Sequence, residues 1–156
     1  MNDIQTGSFH ILLISPNPAE NRLLKNLLLQ EECFRVTSSH GVEAGLTLLA
    51  KERFDACLLD LDSRRGISFD PVVRLFELHP LLPVVAVTRQ EDEGLCKKVV
   101  QMGAQDCLAK GILNHEILKR VLCFSIERLR TRTFLKDSTS LFQGLIESIP
   151  EGVVVV

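Results

Sequence analysis

The sequence contains no tryptophan and no tyrosine. Stacking of a flavin or of nucleic-acid bases would therefore have only phenylalanine rings to draw on. No apolar run reaches the roughly 18 residues that a membrane-spanning helix needs. The opening Met1-Asn2-Asp3-Ile4-Gln5 has neither the basic residues nor the apolar core of a secretory leader. A formal net charge of −2 gives no electrostatic footprint for nucleic acid or an anionic membrane. The five cysteines, Cys33, Cys57, Cys96, Cys107 and Cys123, are odd in number and form no closely spaced pair. They exclude a dense disulfide framework and a zinc site of ordinary spacing. Several lie inside apolar runs, as small buried hydrophobes do in a reducing cytosol. A glycine-rich phosphate cradle is also missing. Ser15-Pro16-Asn17-Pro18 follows the first apolar run instead, which argues against a cofactor-binding enzyme of flavodoxin type.

What is present is a globular chain of 156 residues with 46% hydrophobic content, enough for one domain and a short extra segment. Short apolar runs alternate with helix-length amphipathic stretches, the pattern of parallel strands joined by crossover helices. Strands are expected at His10 to Ile14, Phe34 to Thr37, Ala56 to Asp60, Pro83 to Val87 and Asp106 to Ala109. Helices are expected from Pro18 to about Glu31, Val42 to Glu52, Asp70 to Leu78, Glu93 to Met102, and from Asn114 past Arg130. Pro18 and Pro71 suit first helical turns, Asp70 and Asn114 suit caps, and Gly103 suits a helix terminator. Five strand–helix pairs predict an α/β fold, a doubly wound five-stranded parallel sheet with an extended C-terminal helix.

Three of those strands end in polar residues: Asp60 after Ala56-Cys57-Leu58-Leu59, Thr88 after Val84-Val85-Ala86-Val87, and Lys110 after Cys107-Leu108-Ala109. Ligands of open α/β sheets collect outside the carboxyl ends of the strands, so these three side chains are expected to converge. A carboxylate nucleophile, a hydroxyl and a fixed cation are parts that phosphoryl transfer uses. The histidines His10, His40, His79 and His115 are scattered and read as structural or exposed. The basic residues from Lys119 to Arg132 read as the solvated face of a helix, and Glu91-Asp92-Glu93 reads as an acidic helix start.

With these residues in place, the stretch from about 9 to 127 resembles the receiver domain of two-component response regulators. The resemblance rests on Leu58-Leu59-Asp60-Leu61-Asp62 with Gly66, on the strand ending in Thr88, and on Gly103-Ala104-Gln105-Asp106-Cys107-Leu108-Ala109-Lys110. It implies the flavodoxin-like receiver fold, with Asp60 accepting a phosphoryl group from a histidine kinase or phosphotransfer protein. Thr88 would follow the phosphate and Lys110 would pair with it. The resemblance also implies Mg²⁺ held by two acids at the end of the first strand, where this chain has Ser15 and Pro16. Neither supplies a carboxylate. Asp60 is left as the main metal ligand, with Asp62 offering at most a weak one, so Mg²⁺ is expected to bind weakly and transfer to be slow. Cys107 and Gly111 stand where many receivers have a switching aromatic and a proline. The competing reading is a pseudo-receiver, a phosphorylation-independent module for protein interaction or dimerisation.

Residues 1–127 are thus read as the receiver domain and 128–140 as a helical linker. Residues 141–156 resemble the opening of a PAS-like sensor domain, through Leu141-Phe142-Gln143-Gly144-Leu145-Ile146-Glu147-Ser148-Ile149-Pro150-Glu151-Gly152-Val153. Four valines end the sequence inside an incipient strand, which fits a segment of a longer protein. The expected partners are the kinase, a C-terminal PAS-like or output domain of the same chain, and a second copy paired through the apolar stripe of the last helix. Ile126, Leu129 and Phe134 are read as the part of that stripe lying beyond the domain. A cytoplasmic location follows from the resemblance and the cysteine usage, with no nucleic acid or membrane as partner.

Overall fold

In the computed structural model, the structure describes the backbone of residues 8–63, 66–89 and 93–141, and the side chains of these residues as far as Thr131. The elements follow in the order β1 (Phe9–Ile14), α1 (Pro18–Leu29), β2 (Phe34–Ser39), α2 (Val42–Lys51) and β3 (Ala56–Asp60). A two-residue pair comes next, β4 (Asp62–Ser63) and β5 (Gly66–Ile67), then α3 (Asp70–Leu78), β6 (Val84–Thr88), α4 (Glu93–Gln101) and β7 (Asp106–Ala109). A 3₁₀ turn over Lys110–Ile112 leads into α5 (His115–Leu141). The chain divides into two compact units, Met1–Ile126 and Glu127–Val156, and the account below concerns the first. The segment read as a PAS-like opening lies, beyond Leu141, outside the described residues, as do Phe134's side chain and Glu91 and Asp92.

The main sheet has strand order β2-β1-β3-β6-β7 with every pairing parallel. Alternation along the strands sends side chains to two cores. Ile11, Leu13, Leu58, Val85 and Val87 pack with Leu24 and Leu28 of α1 and Leu118, Leu122 and Ile126 of α5. Leu12, Ile14, Cys57, Leu59 and Ala86 pack with Val72 and Leu75 of α3 and Val99 of α4. Ile126 thus belongs to the core, not to the part of the helix assigned beyond it. On the second face, α2 approaches so closely that a Cβ on Gly45 would lie 2.7 Å from Ile14 Cδ1. Gly103 ends α4 at φ +123°, a left-handed conformation that glycine adopts without cost.

Three local expectations differ. β2 runs two residues further, through Ser38 and Ser39, because it pairs residue by residue with β1 up to Ile14↔Ser39. The stretch after Asp60, given no strand above, forms the β4–β5 pair, with Asp62↔Ile67 and Ser63↔Gly66 opposed. Asp70 is the first residue of α3 and not its cap: Phe69 takes that place, without a side-chain bond to the helix. An acid in the first turn still suits the positive end of the helix dipole.

Candidate functional site

The strand order reverses direction at β1, whose neighbours are β2 on one side and β3 on the other. Outside the carboxyl ends of β1 and β3 lies the crevice where such sheets bind ligands. There the structure opens a cleft of about 840 Å³ whose lining includes Pro16, Glu20, Asp60, Asp62, Arg89 and Lys110.

Each side chain arrives from its own element. Asp60 is the last residue of β3 and Thr88 the last of β6, while Lys110 follows β7 directly. Ser15 follows β1, and its backbone is pinned because Asn21 Nδ2 donates to both the Ser15 carbonyl (3.1 Å) and the Ser39 carbonyl (3.0 Å). Glu20 comes from the first turn of α1, which Asn17 caps by accepting from the amides of Ala19 (2.9 Å) and Glu20 (3.2 Å). That cap fixes where α1 begins and hence where Glu20 projects.

The Asp60 side chain has no exposed surface. Its Oδ2 accepts from the Ser15 hydroxyl at 2.7 Å. Its Oδ1 accepts from the Asp62 amide at 3.0 Å and meets the Lys110 ammonium at 2.7 Å. Lys110 Nζ also lies 2.9 Å from Asp62 Oδ2 and 3.0 Å from Glu20 Oε1. Thr88 donates its hydroxyl to Asp62 Oδ1 at 3.0 Å, and the Arg89 amide donates to Asp62 Oδ2 at 2.9 Å. The Arg89 guanidinium reaches Glu20 Oε1 at 3.4 Å.

The electrostatics follow from these contacts. The Lys110 bond holds the Glu20 carboxyl below its ordinary range against the opposing effect of burial. Burial is the largest influence on Asp62 and pushes its carboxyl up, but bonds from Lys110, the Arg89 amide and Thr88 together outweigh it and leave it lowered. Burial likewise opposes the charge on Lys110, yet Asp60, Asp62 and Glu20 raise its pKa above the ordinary lysine value.

Asp60, Thr88 and Lys110 are therefore brought together as expected, with Ser15 beside them and with Thr88 bonded to Asp62. Asp62 is no bystander in a loop: it accepts from a hydroxyl, an amide and an ammonium. Glu20 was not anticipated at all. Its available signal was its position one turn into the crossover helix that leaves the end of β1.

The donors do not suit a resident divalent ion. Among the described residues, no three acid, histidine or cysteine side chains stand so as to hold a metal ion, the three acids around Lys110 included. The carboxylate oxygens that face one another all point at Lys110, and Ser15 and Pro16 add no charged oxygen. Mg²⁺ favours octahedral oxygen ligation with water retained, which needs carboxylate lone pairs not already engaged.

Comparison with known proteins finds that a family model, response regulator receiver domain, matches residues 11–122. The chain is 30% identical over 122 residues to the sensor histidine kinase RcsC of Salmonella typhimurium, covering 77% of this chain and 12% of that protein. It is 24% identical over 143 residues to the sensory/regulatory protein RpfC of Xanthomonas campestris, covering 88% of this chain and 20% of that protein. The chain thus spans a fifth or less of the length of these curated relatives. Among solved structures, it resembles the receiver domain of sensor histidine kinase PA1611 from Pseudomonas aeruginosa, a structure with magnesium coordinated in its active-site cleft. The TM-score there is 0.65 at 23% identity, covering 78% of this chain and 99% of that one.

Proposed function

This chain belongs to the response regulator receiver family of two-component signalling, and we propose that Asp60 is its phosphoacceptor. In that reaction a carboxylate oxygen of Asp60 attacks the phosphorus of a phosphohistidine on a kinase or phosphotransfer protein. The new P–O bond forms as the P–N bond breaks, and the electron pair stays on the imidazole nitrogen. Transfer of this kind depends on positioning and charge neutralisation more than on covalent help from the protein. The observation that carries the reading is the junction of Asp60 with Lys110 at 2.7 Å, at the carboxyl ends of β3 and β7, where both residues line the cleft. Lys110 and the more exposed Arg89 are the cations that would meet the incoming phosphoryl charge. Thr88 would exchange its bond to Asp62 for one to a phosphoryl oxygen. Ser15 and Pro16, in place of two acids, make the transfer slow.

The domain would pass its signal to a C-terminal PAS-like or output domain of a longer cytoplasmic protein, and α5 would pair with a second copy. Relatives several times longer than this chain, a sensor histidine kinase and a sensory/regulatory protein, support such a setting. A second reading is favoured by one observation: the Asp60 side chain is fully buried and both its oxygens are bonded. On that reading the protein is a pseudo-receiver that binds partners without phosphorylation. Incubation with acetyl phosphate and intact-mass analysis separates the two. The acceptor reading expects a gain of one phosphoryl group, lost in Asp60→Asn. No gain under any donor condition leaves the pseudo-receiver.

A further inference from the structure

An ammonium group has three N–H donors and no acceptor. In this cleft all three have a carboxylate oxygen within reach: Asp60 Oδ1 at 2.7 Å, Asp62 Oδ2 at 2.9 Å and Glu20 Oε1 at 3.0 Å. The side chain of Lys110 is only 11% exposed, so the charge is held away from bulk solvent among three acids. Two of those acids flank the end of β3, and the third closes over the ammonium from α1. A divalent ion drawn to the same oxygens would have to displace Lys110 or sit about 4 Å from it, where like charges repel in a poorly solvated site. The hydroxyl of Ser15 takes one site on the other oxygen of Asp60 at 2.7 Å.

We propose that Lys110 is the resident cation of this cleft, that Glu20 is the residue positioning it there, and that the protein's site works without a divalent ion. Glu20 supplies the acceptor that keeps the ammonium centred; without it the lysine has two carboxylate partners and freedom to swing toward solvent. The inference deepens the reading of Asp60 as acceptor and rests on it in one respect only, the expectation that transfer is indifferent to metal. The occupancy of the cleft by Lys110 stands or falls separately.

The test uses the full chain. Wild-type protein is titrated with MgCl₂ and MnCl₂ at constant ionic strength, read by calorimetry and by thermal melting. No saturable binding is expected up to about 1 mM, the weak limit of carboxylate-rich divalent sites. Lys110→Met leaves three carboxylates without their ammonium, and its melting temperature is expected to rise on adding either ion. Saturable wild-type binding at about 1 mM or tighter would overturn the proposal, and that arm decides even if Lys110→Met does not fold. For Glu20, the ¹³Cε resonance of Lys110 is followed against pH. Glu20→Gln should lower its titration midpoint while the protein stays folded; an unmoved midpoint would remove Glu20 from its positioning role. In a labelling arm, acetyl phosphate is supplied with EDTA or with Mg²⁺. Equal initial rates within about twofold support the inference, and a rise of about tenfold or more with Mg²⁺ contradicts it. Absence of label in both would sink the acceptor reading alone and leave the titration to judge the cleft.

Discussion

The two ends of the sheet bury polar groups in opposite ways. At the amino end, His10 is 6% exposed and stacks against Phe54 with ring centroids 4.2 Å apart. Its Nε2 meets Thr37 Oγ1 at 2.7 Å, its Nδ1 meets the Arg53 carbonyl at 3.2 Å, and its amide donates to Asp55 Oδ2 at 2.7 Å. Donors and acceptors there are matched within a few neighbouring segments, and the network ties β1 to β2 and to the turn before β3. At the carboxyl end, three acids from three different elements converge on one lysine. Bonds matched donor to acceptor hold a fold together; converging like charges cost free energy unless a counter-charge is supplied. The amino end reads as structural, and the carboxyl end as a site whose stability hangs on a single ammonium.

The largest test of that contrast is removal of the ammonium. Lys110→Met should lower stability by about 3 kcal/mol in urea unfolding, because breaking a buried ion cluster strands the partners it leaves behind. A loss below about 1 kcal/mol would mean that solvent reaches the three acids and that the lysine matters little. Next in size, His10→Leu removes the two ring bonds at the opposite end, leaving the amide bond to Asp55, and should cost about 2 kcal/mol, the scale of leaving buried partners unsatisfied. This loss should not depend on salt, whereas that of Lys110→Met should change with ionic strength. Equal salt responses would erase the distinction between the two ends. Thr88→Val removes the hydroxyl donated to Asp62 at 3.0 Å and should cost about 1 kcal/mol by the same unfolding measurement.

The smallest effect is expected from pH. Folded Glu20 and Asp62 have lowered pKa values, the first chiefly through Lys110, the second because its bonds outweigh burial. Their stabilisation is complete above the unfolded values near about 4 and is lost as pH falls through the lower folded ones. The stability difference between wild type and Glu20→Gln should therefore be constant from neutral pH down to about 4 and shrink below it. Lys110, whose pKa is raised, keeps its contribution until pH climbs past the ordinary lysine value, so the two limbs do not overlap. A difference that persists unchanged to about pH 2 would show that Glu20 acts through packing and not charge.

Much of this architecture was legible in the sequence, for reasons visible in particular residues. The strands Ala56–Asp60 and Val84–Thr88 are buried on both faces, so their apolar runs are continuous and unmistakable. Asp60, Thr88 and Lys110 announced themselves as polar residues closing such runs. The edge strand β2 is harder to read because Thr37, Ser38 and Ser39 carry little apolar signal, and only pairing with β1 defines its end. The β4–β5 pair is two residues long on each side, too short for any periodicity. Glu20 was invisible because nothing local distinguishes an acid of a helix's first turn that faces solvent from one that reaches over the neighbouring strands. Asp62 was visible but undervalued, since its role depends on Thr88 and Lys110, which lie 26 and 48 positions away.

The most direct measurement of the account is the ¹H–¹⁵N signal of the Lys110 ammonium, recorded at neutral pH with and without Mg²⁺. An ammonium bonded to three carboxylates exchanges its protons slowly, so a resolved cross-peak is expected, weakened in Glu20→Gln and unmoved by Mg²⁺ in the wild type. A signal lost to rapid exchange, or one that Mg²⁺ displaces, would contradict the claim that Lys110 is the cation of this cleft.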